Sequence, residues 1–107
     1  MLPRMRPIQH PTLEQIELTD LMHALSDPAR VEIVRCLARH RQPMTCNEIN
    51  VDRPKSSMSH HFKILRSAGL IETQIRGKEH FNALRTDELE QKFPGLMKTL
   101  LRLMLAA

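Results

Sequence analysis

From Pro54 to Gly69 the chain reads PKSSMSHHFKILRSAG. Ser56, Ser57, Ser59, His60, His61 and Lys63 crowd into one short span of it, and no carboxylate interrupts them. Serine is a mediocre helix former because its hydroxyl competes with the backbone. A face meant only for solvent would therefore draw on Glu, Lys and Gln. Short donors near a helix start instead suit close approach to phosphate oxygens and to base edges. Catalysis would need other company. The three glycines are scattered and form no phosphate-binding loop, and no acid–base pair stands on a recognisable scaffold, so an enzyme is not expected.

The charge distribution points the same way. Residues 53–85 hold seven Lys/Arg against two Asp/Glu, while residues 1–52 hold six against seven and residues 86–107 three against three. The whole excess of the +4 chain thus lies in the segment that carries the serines and histidines. A local cationic patch favours a polyanion as partner, with an ordinary solvated surface as the plainer alternative.

Metal and thiol chemistry have little to stand on. Cys36 and Cys46 are the two cysteines, too few for a disulfide framework, which fits a reducing cytoplasm. One thiolate beside Asn47 and Glu48 cannot close a metal site, and a lone cysteine is more often a small, partly buried hydrophobe. His60 and His61 are adjacent and point in different directions, and His10, His23 and His40 lack ligand spacing. No metal or cofactor is expected.

The elements that must position the donors follow from caps and periods. Residues 1–11, with three prolines, suggest a flexible arm, and residues 12–107 a single domain. Thr12 to Gln15 is a capping-box pattern opening a first helix to about Leu25. Asp27-Pro28 opens a second, ending near His40. Thr45 to Glu48 repeats the capping-box pattern before a short third helix over about 46–50. After the turn Asp52-Arg53-Pro54, a fourth helix runs to Ala68, with Gly69 as its left-handed cap. Met58, Phe62, Leu65 and Ala68 form its apolar stripe, which turns Ser56, Ser57, Ser59, His60 and Lys63 outward, with His61 and Arg66 at the borders. Leu70 to Ile75 and His80 to Leu84 make a hairpin whose turn, residues 76–79, carries Arg76 and Lys78. Helical sequence resumes at Thr86, breaks at Pro94-Gly95, and ends in the apolar run Leu96 to Leu105. A short helix and a tight turn before the fourth helix make a helix-turn-helix arrangement. No apolar run is long enough to cross a membrane.

ALSDPARVEIVRCL together with MSHHFKILRSAGLIETQIRGKEHFNALR closely resembles the ArsR-type (ArsR/SmtB) winged helix-turn-helix transcriptional regulators of bacteria. The resemblance spans about residues 20–90. It implies a mainly α fold with a small β-hairpin: five to six helices, a two-stranded wing, and a dimer through the terminal helices. It implies a repressor of double-stranded DNA released by an inducer, here an unidentified small molecule. Carried over by position, Ser56, Ser57, Ser59, His60 and His61 are the base- and groove-reading residues, and Lys55, Lys63, Arg66, Arg76 and Lys78 the backbone contacts. Relatives that sense metal or oxidant use cysteine pairs or acid–histidine sets that this chain lacks, although a response through Cys36 and Cys46 stays an alternative. So does a winged-helix protein-interaction module with no role on DNA. Two departures stand out. The segment from Glu48 to Pro54 is shorter than usual, and the wing keeps one aromatic, Phe81, where a pair is normal.

The last segment argues for a homodimer on its own chemistry. Wet leucines cost several kcal/mol at about 25 cal/mol per Å2. Pairing Leu13 and Ile16 of the first helix and Leu96, Leu100, Leu101 and Met104 of the last with their copies would bury both ends. A two-fold pair would set its reading helices roughly 34 Å or more apart and favour a palindromic operator.

Overall fold

The computed structural model describes residues 8–106. After a 3-10 turn (Leu13–Gln15) come α1 (Leu18–Ala24), α2 (Pro28–His40), β1 (Met44–Thr45), α3 (Lys55–Ala68), β2 (Ile71–Arg76), β3 (Glu79–Leu84), α4 (Thr86–Lys92) and α5 (Leu96–Ala106). The strands form one antiparallel sheet in the order β1-β3-β2. The architecture is the expected winged helix-turn-helix, five helices with a sheet of three strands rather than two. The additional strand, Met44–Thr45, pairs with Asn82 and Phe81 of β3. Two residues are too short to show an alternating pattern.

The caps explain where the helices begin and end. The Asp27 carboxylate accepts the Ala29 N–H at 2.8 Å, and α2 starts at Pro28. It stops where Arg41 enters the left-handed region at φ 57°. Gly69 closes α3 at φ 91°, and a Cβ there would overlap the Ile16 side chain. The break at Pro94-Gly95 separates α4 from α5, and the Glu90 carboxylate caps the new helix, accepting the N–H groups of Gly95 and Lys98 at 2.9 Å.

Two expected helices are shorter than their cap patterns suggested. The first splits into the 3-10 turn and α1, because Ile16 adopts an extended conformation and turns into the core, 1% exposed. Ile16, expected at the dimer interface, is therefore part of the intramolecular core. Lys92 binds the turn from the far side, its Nζ donating to the carbonyls of Leu13, Glu14 and Ile16. The expected third helix is a single turn. Its capping box does form, with the Thr45 N–H donating to Glu48 Oε1 at 2.8 Å and the Glu48 N–H to Thr45 Oγ1 at 3.2 Å. The chain then leaves the helical path after Ile49, whose N–H makes the last bond of the turn to the Thr45 carbonyl.

The core lies between α2, α3 and the sheet, built from Ile33, Val34 and Leu37, from Phe62, Leu65 and Ala68, and from Leu70 and Ile71, with Leu89 and Met97 closing it. Asn82 is fully buried at its edge. It accepts from Thr73 Oγ1 at 2.7 Å and donates to the Met44 carbonyl at 3.2 Å, tying all three strands together. Of the proposed N-terminal arm, residues 1–7 lie outside the described residues, whereas His10 and Pro11 are bonded to the body. The His10 ring Nε2 accepts the Thr73 N–H at 2.9 Å, and Arg85 donates to the Pro11 carbonyl at 2.8 Å. Burial, with help from Arg85 and Arg66 and against Glu72, holds the His10 imidazole below its ordinary pKa, which suits its acceptor role.

Candidate nucleic-acid interface

α3 exposes one continuous stripe: Ser56, Ser59, His60, Lys63 and Ser67. The opposite side, Phe62, Leu65 and Ala68, is buried, and α1 and α2 pack against the helix. The first turn holds no acid, and Pro54 supplies no capping side chain. The positive end of the helix dipole and its first N–H groups thus face outward beside Lys55, where anionic oxygens are favoured. Ser57 is half-buried, and its hydroxyl donates to the Pro54 carbonyl at 2.8 Å, so it shapes the helix start and keeps its acceptor capacity. His60 and Lys63 also line a groove of about 370 Å³ with Asp20 and His23 of α1.

His61 differs from the expectation. It sits 9% exposed, with Nδ1 3.2 Å from an Arg30 guanidinium nitrogen. Successive helical residues are about 100° apart, so the position after His60 turns toward α2 and out of reach of a groove. Arg30 itself is buried and also donates to the Ala24 carbonyl at 2.6 Å and the His23 carbonyl at 3.3 Å. It thereby locks the end of α1 and the start of α2 to α3. Burial works to raise the Asp27 carboxyl, but the N–H groups of Ala29 and Arg30 outweigh it and hold the group below its ordinary value.

The wing projects beside this face. β2 and β3 pair in register from Ile71–Leu84 to Arg76–Glu79, leaving Gly77-Lys78 as a two-residue turn. Gly77 at φ 63° supplies the positive φ that such a tight turn needs at its first central position. Lys78 is exposed at the tip. Arg76 lies over Phe81, 5.1 Å from the ring centroid, and donates to Gln74 Oε1 at 3.2 Å, so its guanidinium is held in place along the wing. Arg66 is set apart from the stripe. It is half-buried, lining a cleft between α3 and the loop before it.

Residues 25–74 match a helix-turn-helix domain family. An uncharacterized HTH-type transcriptional regulator of Bacillus subtilis, YceK, is 34% identical over 82 residues, covering 75% of this chain and 82% of that protein. The crystal structure of an ArsR family transcriptional regulator superposes with a TM-score of 0.63 at 25% identity, covering 77% of this chain and 90% of that one. The chain belongs to the ArsR-type winged helix-turn-helix transcriptional regulators. It is thus a member of a DNA-binding family and not an enzyme. The crystal structure of the transcriptional repressor BigR from Xylella fastidiosa shares the fold, with a TM-score of 0.59, 23% identity, and coverage of 77% of this chain and 84% of that one. Among the described residues of this ArsR-type chain, no helix is long and apolar enough to cross a membrane.

Arg30 was hidden inside an amphipathic helix, although a cation on its apolar border was the available signal. On the terminal helices, Leu13, Leu96, Leu100, Leu101 and Met104 are only partly exposed and pack against the core. Among the described residues, the large apolar side chains that stand exposed are Leu18 (40%) and Met22 (63%) on α1 and Leu103 (62%) and Leu105 (41%) on α5. Cys36 Sγ faces Met44 Sδ at 3.9 Å, and Cys46 Sγ faces Asn82 Nδ2 at 3.4 Å, so each thiol has its own neighbours.

Proposed function

We propose that this regulator is a homodimer that binds a palindromic double-stranded operator and represses transcription until a signal releases it. The observation that carries the reading is the carboxylate-free stripe Ser56, Ser59, His60 and Lys63 at the open N-terminal half of α3. In this reading Ser56, Ser59 and His60 meet base edges in the major groove, with Ser57 fixing the helix start. Lys55 and Lys63 on α3 and Arg76 and Lys78 on the wing bind phosphates. The exposed apolar residues of α1 and α5 support dimerisation, because a second copy would remove Leu18, Met22, Leu103 and Leu105 from water together. Repression is suggested by the structural neighbour described as a transcriptional repressor, and release by a signal by the resemblance of this sequence to ArsR-type regulators.

A gel shift on a palindromic duplex at increasing salt tests this. Binding should occur as a dimer, and log affinity should fall linearly with log salt as phosphate contacts release counterions. A chain that stays monomeric and ignores duplex DNA at low salt would refute it.

A further inference from the structure

Beneath the DNA-facing stripe lies a second site. A cleft of about 540 Å³ opens between α3, the loop of residues 46–53 and His80 of β3. Ile49, Val51, Met58 and Phe62 line its apolar part. Its polar wall carries Arg53, Lys55 and Arg66 and not one carboxylate. Ligand sites for small molecules have this size and this pattern, an apolar lining with a few placed charges. Arg66 is the telling residue. Partial burial holds its guanidinium below its ordinary pKa, and the nearby Cys46 thiol acts the other way. The ion pairs among the described residues are Arg35–Glu32 and Arg85–Glu88, so Arg66 has no carboxylate partner there. A partly desolvated cation without a counter-ion is costly unless an anion joins it. A bare phosphate would leave the apolar wall unused.

We infer that this cleft is an effector site for a small organic anion with an apolar body, whose acid group pairs with Arg66 and Arg53 and whose body lies on Met58 and Phe62. Lys55 and Ser59 line the cleft and also belong to the DNA-binding half of α3, so an occupant competes with DNA for them. This coupling rests on the DNA-binding role proposed above; occupancy of the cleft does not.

Cys46 lines the same cleft and reports on it, while Cys36 on α2 serves as an internal control. The full-length protein is treated with N-ethylmaleimide in the presence of 2-naphthoate or its neutral counterpart 2-naphthalenemethanol, and each cysteine is followed by peptide mass spectrometry. 2-Naphthoate should slow labelling of Cys46 saturably and leave Cys36 unchanged. Its half-protecting concentration should be about tenfold below that of the neutral compound, the value of one charge-assisted contact. Arg66→Gln, and separately Arg53→Gln, should shrink that ratio. Equal protection by both compounds, or none by either, overturns the site. So does protection by duplex DNA alone, which would make the cleft a phosphate contact. In a parallel gel shift, 2-naphthoate should weaken duplex binding as it fills the cleft; protection of Cys46 with unchanged duplex affinity overturns the coupling. A chain that binds no duplex at all refutes the DNA-binding role while the labelling result still decides the site.

Discussion

The outer and inner faces of α3 spend the same residue type differently. His60 stands exposed among Ser56, Ser59 and Lys63, with its ring in a groove shared with α1. His61, one residue on, is buried against Arg30, which also holds two carbonyls at the end of α1. The two ring centroids are 6.1 Å apart and tilted by 49°, so proximity in sequence brings no shared task. The outer face is left to solvent, whereas the inner face is a closed network that fixes the angle at which the outer face is shown. Affinity should therefore be tuned on one side and stability on the other.

The largest test of that division is Arg30→Met. It removes the donor to the Ala24 carbonyl and the partner of His61 Nδ1, while the His23 carbonyl keeps its bonds from Ser26, and buried groups left without partners cost about 1–3 kcal/mol each. We expect a loss of roughly 2–4 kcal/mol in urea unfolding, given partial relaxation. A change within the noise would break the claim that the inner face is a structural lock. Gly69→Ala comes next, since a Cβ at φ 91° would meet Ile16. Strain and overlap together should cost about 1–3 kcal/mol, again read from urea unfolding, without altering which duplexes bind.

His60→Ala and His61→Ala sharpen the comparison directly. His61→Ala should lower stability by about 1 kcal/mol through the lost Arg30 contact and leave base preference alone. His60→Ala should leave stability within about 0.5 kcal/mol, as exposed positions do, and change base preference. Lys78→Ala is the smallest expected effect, a uniform weakening on all duplexes with a salt slope reduced by about 1.

Acid should erode the frame before the face. The Glu48 carboxyl is held below its ordinary 4.5 by the Thr45 N–H and hydroxyl. The Glu90 carboxyl is held below 4.5 by the N–H groups of Gly95 and Lys98. Folded values below the unfolded ones mean stability that is present above 4.5 and lost as pH falls through the lower folded values. Thermal unfolding followed from neutral pH downward should show a melting temperature that begins to fall below about pH 6.5, where the unfolded chain takes up a proton on His10 that the folded one resists, and falls further below about pH 4.5, this last step less steeply in Glu90→Gln.

The sequence carried the helix order, the outer stripe of α3 and the family resemblance, because caps and periods of apolar residues are local signals. Asp27-Pro28, Gly69 and Pro94-Gly95 all mark boundaries that the fold keeps. What stayed hidden depends on distant partners. Ile16 is buried because Gly69, far along the chain, leaves room for it. β1 exists because β3 offers an edge. The burial of His61 needs Arg30, and no periodicity names that pair. The capping box at Thr45 was legible, but that the turn it opens would stop after Ile49 was not.

The most direct measurement is selection of bound duplexes from a random pool, with the wild type and with Ser59→Ala/His60→Ala. The wild type should enrich a palindrome, and the double variant should lose preference at two symmetric positions while still binding duplex in a salt-dependent way. An unchanged consensus from the variant would contradict the assignment of α3's outer face as the surface that reads DNA.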